Sequence, residues 1–247
     1  MEFRRRLASR NQHRMFQRFL VCGLVLASWF VTFPVAQSQT LDDTGLWFAA
    51  FGNGQFEYLN DDSPLRWWFD AHYRLRNDSD GFDQSILRPG LGLQVAEDQV
   101  LWAGYAWIGN SPATDEYFNE HRFWQQWSAT PSVGDWKSLH RSRLEQRWRE
   151  TGDDIGWRWR QMHRVQKILT SCPQWSLIGW DEAFFHLNDT DWGAATGLDQ
   201  NRAFLGFGYN RCPHTRVRTE IGYINHFTNR QGGEDGMNHL LSISFFY

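Results

Sequence analysis

Apolar and polar side chains alternate one by one along most of the chain beyond residue 40. In Leu65–Arg76, every odd position is apolar or aromatic, whereas most even positions carry arginine, aspartate or histidine. A period of two is that of a β-strand, whose successive side chains point to opposite faces. The same alternation marks Leu87–Val95, Leu101–Trp107, Glu120–Trp127, Arg141–Arg149, Ile155–Val165, Arg202–Tyr209, Arg216–Tyr223 and Leu240–Tyr247. The pattern predicts an all-β chain.

The length of these strands and the character of their faces both favour a membrane β-barrel. Several exceed the about 5–6 residues of an ordinary strand and match the about 9–11 that a transmembrane strand needs. One face is apolar, as lipid requires, and the other carries arginine, glycine and small polar residues. We therefore expect a closed, antiparallel, up-and-down transmembrane β-barrel. The alternative is a soluble, secreted β-sandwich or barrel that turns its apolar face inward and binds an apolar ligand.

The first 38 residues have the layout of a secretory signal peptide. Six arginines precede an apolar run from Phe19 to Phe33, and small residues follow around Ala36. A basic region, an apolar region and a small-residue cleavage site, in this order, are typical of exported proteins. Met15 is an alternative start. We expect a signal peptide over 1–38 and a single barrel domain over 39–247, located in the bacterial outer membrane.

Charge and composition exclude several classes of function. Removing residues 1–38 takes six arginines and one glutamate from the chain's 25 basic and 28 acidic residues, and leaves a formal net charge of −8. Such a chain is poorly suited to nucleic acid, whose binding depends on phosphate neutralisation. The nine histidines are scattered without metal-ligand spacing, and Gly206-Phe-Gly208 lacks the helix that follows a phosphate-binding loop. We expect no nucleic acid, metal or cofactor.

The chain ends on an alternating strand with an aromatic last residue. Every second position from Leu241 to Tyr247 is apolar or aromatic. This strand resembles the C-terminal signal of Gram-negative outer-membrane barrels. The resemblance implies a periplasmic C-terminus and recognition by barrel-assembly machinery through the strand that ends at Tyr247. Outer-membrane lipid is the other expected partner, and no protein partner is indicated.

Loop lengths predict the topology, because outer-membrane barrels have short periplasmic turns and longer outer loops. Counting back from a periplasmic C-terminus places the three longest loops outside: Gly109–Asn119, Leu187–Asp199 and Thr228–Met237. Ten strands lie between Leu65 and Tyr247. The Asn53-Gly54 pair is a strong signal for a two-residue hairpin turn, so Gly45–Tyr58 is expected to hold two short strands. Twelve strands are therefore preferred, with ten as the alternative.

Eight short strings between Gly45 and Tyr247 carry a family resemblance. They are Arg88-Pro-Gly-Leu-Gly-Leu-Gln94, Gly104-Tyr-Ala-Trp107, Glu120-His-Arg-Phe-Trp-Gln-Gln126, Arg141-Ser-Arg-Leu-Glu-Gln-Arg147, Arg158-Trp-Arg160, Asp181-Glu-Ala-Phe-Phe185, Asp199-Gln-Asn-Arg202 and Gly222-Tyr-Ile-Asn225. Their order and spacing resemble a bacterial family of exported β-barrel proteins that carries only a domain-of-unknown-function label. The resemblance implies an outer-membrane barrel fold and brings no catalytic residues with it.

The polar face of the central strands concentrates arginine. If Arg143 and Glu145 point inward, antiparallel pairing brings Glu145 opposite Arg158 or Arg160. One lumen wall then carries six arginines and two glutamates: Glu120, Arg122, Arg141, Arg143, Glu145, Arg147, Arg158 and Arg160. Rings of arginine favour anions, which predicts a narrow, anion-favouring solute channel. The alternative is a structural role, in which these residues form a salt-bridged plug.

Two adjacent acidic residues, Asp181 and Glu182, cannot both face the lumen in a regular strand. If Glu182 points inward it can meet Arg160 or Arg202, and Asp181 then faces lipid at an appreciable energetic cost. A β-bulge or a local change of register would resolve the conflict. The sequence leaves the orientation of this pair open.

A lipid-modifying hydrolase is the alternative from another class of function. Ser142 and His163 are both expected on the outer face of neighbouring strands, with His140 nearby. A serine and a histidine can act as nucleophile and base when a third group orients the histidine. The sequence shows no such third group. We therefore expect no enzymatic activity and keep Ser142 and His163 as the catalytic alternative.

Two cysteines lie outside the predicted signal peptide, and each precedes a proline, in Cys172-Pro173 and Cys212-Pro213. The loop count puts both in periplasmic turns of consecutive hairpins. Since strands lie about 4.8 Å apart, such turns are on the order of 10 Å apart, and flexible tips can reach the about 7 Å that a disulfide allows. Exported proteins meet an oxidising environment. We predict a Cys172–Cys212 disulfide.

Overall fold

A computed structural model describes residues 40–56, 63–76, 80–112, 116–210, 217–230 and 233–247. These residues form strands β1 (Thr40–Gln55), β2 (Leu65–Arg76), β3 (Gly81–Ala96), β4 (Gln99–Asn110), β5 (Phe118–Ala129), β6 (Ser132–Val133), β7 (Trp136–Arg149), β8 (Gly156–Ile168), β9 (Trp175–His186), β10 (Gly197–Asn210), β11 (Arg218–Thr228) and β12 (Asp235–Phe246). None of them forms a helix long and apolar enough to cross a membrane. The predicted signal peptide, 1–38, lies outside the described residues.

Eleven strands close into a barrel, which confirms the predicted closed all-β fold. Each strand pairs with its neighbours along the chain, and β1 pairs with β12 to close the sheet. The two-residue β6 belongs to the hairpin that leads into β7, and β5 pairs directly with β7. The barrel is mixed and not purely antiparallel, because β1 and β12 run parallel. An odd number of up-and-down strands requires this, since the first and last strands then run in the same direction.

The predicted hairpin at Asn53-Gly54 is wrong. Both residues continue β1, where Asn53 pairs with Trp68 and Gly54 with Trp67 of β2. The glycine serves a close approach: a Cβ on Gly54 would lie 2.8 Å from Trp67 Nε1, so its absence lets the indole lie against the strand. The sheet does contain twelve strands, but β1 crosses the barrel once and the twelfth strand is the short β6.

The connections alternate between the two ends of the barrel, as predicted from Leu65 onward. We call the end that holds Tyr247 the C-terminal rim; it carries the connections 56–64, 97–98, 130–135, 169–174 and 211–217. The opposite rim carries the connections 77–80, 111–117, 150–155, 187–196 and 229–234. Because the barrel has eleven strands, Thr40 lies at the opposite rim, away from Tyr247.

Side chains divide between the two faces of the barrel as the alternation predicts. Large apolar side chains point outward, and Leu91, for example, is 64% exposed. Arginines and carboxylates point inward and are buried, beside two apolar clusters that contain Trp47 and Trp124. This is the reverse of the arrangement that the soluble alternative requires.

Candidate functional site

All eight residues of the predicted lumen cluster lie on three adjacent strands. Glu120 and Arg122 lie on β5, Arg141, Arg143, Glu145 and Arg147 on β7, and Arg158 and Arg160 on β8. Each side chain is buried, because the alternation turns these positions into the lumen and their neighbours outward. We call these eight residues, together with Glu182 of β9, the charged wall.

Glu145 is the centre of the charged wall. It lies opposite Arg158 in the register of β7 and β8, which is one of the two positions, Arg158 or Arg160, that the sequence predicts. Its carboxylate lies 2.7 Å from Arg158 Nη2 and 2.7 Å from Arg160 Nη1, and the Nη1 atoms of Arg122 and Arg143 lie 3.8 and 3.9 Å away. The residue is 1% exposed. One buried carboxylate therefore holds four guanidinium groups.

Glu120 is a second shared carboxylate of the charged wall. Its Oε1 accepts hydrogen bonds from the Nε atoms of Arg122 and Arg147, each at 2.6 Å. In the register of β5 and β7, Arg122 lies opposite Arg147 and Trp124 lies opposite Glu145. The expected inward parity therefore holds. Glu120 itself lies opposite Arg149, so its hydrogen bond with Arg147 is a diagonal contact between the two strands.

The structure gives Asp181 and Glu182 opposite orientations. Glu182 points inward, and its Oε1 accepts from Arg141 Nη2 at 2.7 Å and lies 2.8 Å from Arg160 Nη2. Asp181 points outward, where Asn201 Nδ2 donates to it at 3.1 Å. The pairing of β9 with both neighbours is regular at this level, so the bulge or register change that the sequence suggested is wrong. The outward Asp181 is instead accommodated by its hydrogen bond with Asn201 on the outer face.

Sequence analysis missed the carboxylate groups on other strands. Asp70 lies opposite Arg88 in the register of β2 and β3, and it accepts from Trp68 Nε1 at 2.6 Å while His72 Nε2 lies 2.6 Å and Arg88 Nη1 3.2 Å away. Two further groups are Glu220 with Arg164 and Arg218, and Asp199 with Arg158 and His186. Alternation marks these residues as inward, whereas their pairing depends on register between strands.

A second region of the lumen holds two arginines that form no ion pair within 4 Å. We call Trp47 of β1, Arg74 of β2, Arg202 of β10 and His226 of β11 the Trp47 site. The guanidinium carbons of Arg74 and Arg202 lie 3.9 and 4.9 Å from the Trp47 ring centroid, and the His226 ring packs against Trp47 at 5.3 Å. No ion pair within the described residues includes Arg74 or Arg202.

A cavity of about 1190 Å³ occupies the lumen and is lined by both regions. Its lining includes Gln94 and Thr130 near the C-terminal rim, and Asn110 and Thr228 near the opposite rim. Fourteen arginines and one lysine line it, against eight acidic residues. The cavity lining therefore has a net positive charge, although the chain outside residues 1–38 has a formal net charge of −8.

At the opposite rim, loop 187–196 docks on loop 150–155. Two backbone N–H groups of loop 150–155 donate to the Asp191 carboxylate, at 2.8 and 3.2 Å. These hydrogen bonds hold the pKa of Asp191 below its usual value. The neighbouring Trp192 ring centroid lies 5.0 Å from the Arg147 guanidinium carbon. The docked loop thus covers one end of the charged wall.

The outer face carries the predicted catalytic alternative as a row of polar residues on β7 and β8. Ser142 Oγ donates to Gln161 Oε1. His163 Nδ1 lies 2.8 Å from His140 Nδ1, and its Nε2 lies 3.3 Å from Gln161 Nε2. Both ring nitrogens of His163 therefore contact groups other than Ser142. The structure brings the serine and the histidine to neighbouring strands but does not join them by a hydrogen bond.

The cysteine prediction is described only in part. Cys172 is exposed and has no disulfide partner within the described residues, and Cys212 lies outside them. The end of β10, which leads to Cys212, is adjacent to the turn that contains Cys172, because Asn210 N donates to the Gln174 carbonyl at 2.8 Å. Nothing in the described part of the chain forms a group of three metal-ligating side chains.

Three comparisons relate the chain to known proteins. The model of a family described as "Protein of unknown function (DUF2490)" matches residues 44–238. An uncharacterised protein of Methylorubrum extorquens is 33% identical over 237 residues, which cover 93% of this chain and 96% of that protein. No solved structure matches the chain. The family match runs from β1 into β12.

Proposed function

The chain belongs to the DUF2490 family of proteins of unknown function, as its sequence motifs indicate, and we propose that it is an outer-membrane β-barrel whose lumen is a narrow, anion-favouring passage. One observation carries the proposal: a net acidic chain encloses a cavity lined by 15 basic and eight acidic residues. An excess of basic over acidic residues around the cavity attracts anions into the lumen. The alternative is a structural barrel that does not conduct.

Placement in the outer membrane is supported by the outer surface of the barrel. Strands of 11 to 16 residues form its wall, which is enough to cross a bilayer at the usual tilt. Their outward side chains are largely apolar and aromatic, and water would be a poor solvent for such a surface. We propose that residues 1–38 are removed on export, and that the strand ending at Tyr247 engages the barrel-assembly machinery.

The passage runs beside the charged wall and not through its centre. Arg143 stacks on Trp124, with the guanidinium carbon 4.5 Å from the ring centroid, and binds Gln126 at 2.8 Å. Arg143 and Glu145 are absent from the described cavity lining, whereas Arg160 and Arg202 belong to it. The neutralised part of the wall therefore supports the barrel, and the remaining arginines face the space a solute would use.

Cell fractionation and planar-bilayer recording test this proposal. We expect the protein in the outer-membrane fraction, with a mobility shift between unboiled and boiled samples on a gel. Extraction without detergent and no such shift would contradict the membrane assignment. In planar bilayers we expect discrete conductance steps, whereas silence at all voltages would favour the structural plug.

The eleven-strand count predicts where the N-terminus of the exported chain lies. With the C-terminal rim in the periplasm, the opposite rim and Thr40 face the outside of the cell. An epitope tag inserted after residue 39 should bind antibody on intact cells, and a tag placed after Tyr247 is the control that should not. Binding only after permeabilisation would support an even strand count.

The proposal assigns no enzymatic activity to the chain. This part of the proposal is supported by the hydrogen bond from Ser142 to Gln161, because the serine then has no general base as its partner. Purified protein incubated with phospholipid and lipopolysaccharide should release no fatty acid. Hydrolysis that disappears in Ser142→Ala and persists in Ser138→Ala would establish the lipid-hydrolase alternative.

A disulfide between Cys172 and Cys212 belongs to the same proposal, since export exposes both turns to an oxidising compartment. The bridge would tie two hairpins at the C-terminal rim. Thiol labelling of the purified, non-reduced protein in denaturant should detect no reactive thiol outside residues 1–38. Two labelled thiols at Cys172 and Cys212 would refute the bond.

A further inference from the structure

The arginines of the Trp47 site bind neutral amides, whereas most arginines of the charged wall bind carboxylates. Arg74 Nη1 donates to Gln84 Oε1 at 2.6 Å, and Arg202 Nη2 donates to Gln200 Oε1 at 2.8 Å. Both partners are neutral amides, which accept a hydrogen bond but do not cancel the charge of a guanidinium group. Among the described residues, no carboxylate therefore forms an ion pair within 4 Å of either guanidinium group, and the nearest opposite charges, on Asp83 and Glu182, act on them over longer distances.

Three buried hydrogen-bonding atoms without partners lie at this site, and others, such as Arg88 Nε and Arg141 Nε, lie elsewhere in the lumen. The Nε atoms of Arg74 and Arg202 and the Nδ1 atom of His226 are inaccessible and have no hydrogen-bond partner in the described part of the chain. Arg74 and His226 are each 7% exposed. Buried polar atoms in folded proteins are nearly always paired, and one left unpaired calls for an explanation such as a missing ligand.

Trp47 holds the two like charges close together. The aromatic face attracts both guanidinium groups, but it cannot remove their mutual repulsion in a buried setting. The register enforces the arrangement, because Trp47 lies opposite Arg74 and Arg202 lies opposite His226. An anionic group between the two guanidinium groups would supply an opposite charge at short range, which no carboxylate of the described residues supplies within 4 Å.

The shape of the donors identifies the class of ligand. Arginine presents parallel N–H groups in a planar fork that matches the oxygens of a carboxylate or phosphate. All four residues of the site line the cavity. Arg74 and His226 lie two residues from the ends of β2 and β11 at the opposite rim, whereas Trp47 and Arg202 lie deeper in the lumen, so a small solute that enters from that rim can reach the site.

We propose that the Trp47 site binds the carboxylate or phosphate group of a small solute between Arg74 and Arg202. The inference rests on the proposed function only in requiring that solutes enter the lumen. It adds a defined binding site to the general positive charge of the passage, and it assigns the chemistry of recognition to two arginines from opposite ends of the chain.

Calorimetric titration of the folded, detergent-solubilised protein tests the site. The titrants are inorganic phosphate and succinate, with chloride and glucose as controls. We expect saturable binding of at least one oxyanion, and phosphate without succinate would assign the site to phosphate groups. Binding of neither oxyanion above the chloride background would overturn the proposal.

Matched variants place the binding within the lumen. Arg202→Gln should weaken oxyanion binding at least tenfold. Arg66→Gln is the control, because Arg66 also lines the cavity and also binds a glutamine, Gln94 at 2.9 Å. Unlike Arg74 and Arg202, it shares no aromatic ring with a second arginine in the described part of the chain. The control variant should change the affinity less than twofold. Equal losses in the two variants would show general lumen electrostatics and contradict a discrete site.

A second readout separates this inference from the proposed function. Binding without conductance in bilayers would retain the site and reject the passage. Anion-favouring conductance with unchanged oxyanion affinity in Arg202→Gln would retain the passage and reject the site. The gel mobility shift of unboiled Arg202→Gln verifies that the variant is folded, and Arg74→Gln repeats the measurement from the other strand.

Discussion

Two regions of one lumen hold buried arginines, and they differ in what faces the guanidinium groups. In the charged wall, Glu120, Glu145 and Glu182 are each shared by two or more arginines within 4 Å. In the Trp47 site, Arg74 and Arg202 face an indole ring and neutral amides. The same residue type thus forms ion pairs with shared carboxylates in one place and, in the other, packs on an indole ring with no carboxylate within 4 Å among the described residues.

The comparison indicates that the presence of a carboxylate partner, and not the number of arginines, separates a region that stabilises the barrel from one that can bind a ligand. A buried carboxylate that holds several guanidinium groups loses much when it is removed, because the arginines are left uncompensated. Replacing an arginine that forms no ion pair within 4 Å should cost less stability, because it leaves no buried carboxylate without its partner. The two regions should therefore respond in different ways to the loss of a charge.

The largest expected effect comes from Glu145→Gln. Loss of this carboxylate leaves Arg158, Arg160, Arg122 and Arg143 without their common partner, and we expect unfolding to become easier by about 3–5 kcal/mol. Denaturant unfolding of the purified protein measures the change. Glu150→Gln in an exposed loop is the control and should shift the midpoint little. A loss below about 1 kcal/mol would show that the charged wall is not a stabilising network.

Asp70→Asn should have a smaller effect of the same kind. Asp70 is fully buried but has one arginine partner, Arg88 at 3.2 Å, and its other contacts are Trp68 and His72. Asparagine keeps an acceptor and loses the charge, so the expected cost is about 1.5–3 kcal/mol. The same unfolding assay tests it, with Asp98→Asn in the two-residue turn as control. A cost equal to that of Glu145→Gln would mean that the number of shared arginines does not matter.

Arg202→Gln should have the smallest effect on stability and sharpen the contrast most. The change removes one of two like charges at Trp47 and breaks no ion pair of the described residues, so stability should stay within about 1 kcal/mol of wild type or rise. Destabilisation as large as that of Glu145→Gln would abolish the distinction between the two regions.

The sequence could predict which side chains face the lumen, because alternation is a local property of each strand. It also predicted that Glu145 lies opposite Arg158 or Arg160, since these residues lie on strands joined by a short connection. Asp70 and Arg88 could have been paired by the same reasoning applied to β2 and β3. The residues that form the charged wall could therefore be predicted from the sequence.

The Trp47 site could not be predicted in the same way. Its arginines come from β2 and β10, and they meet only because β1 and β12 close the barrel. The sequence predicts a hairpin at Asn53-Gly54, which would divide β1 into two short strands. With β1 divided, the strands that pair beside Trp47 could not be identified. Closure and strand parity are properties of the whole sheet, and one misassigned turn changes both.

Ion selectivity tests the central claim most directly, namely that the excess of arginine in the lumen makes the passage favour anions. Wild-type protein in a planar bilayer under a KCl gradient should show a reversal potential displaced toward the equilibrium potential of chloride. The Arg74→Gln/Arg202→Gln double variant should reduce that displacement, and the Arg66→Gln variant should reduce it less. A wild-type reversal potential displaced toward that of potassium would contradict the account.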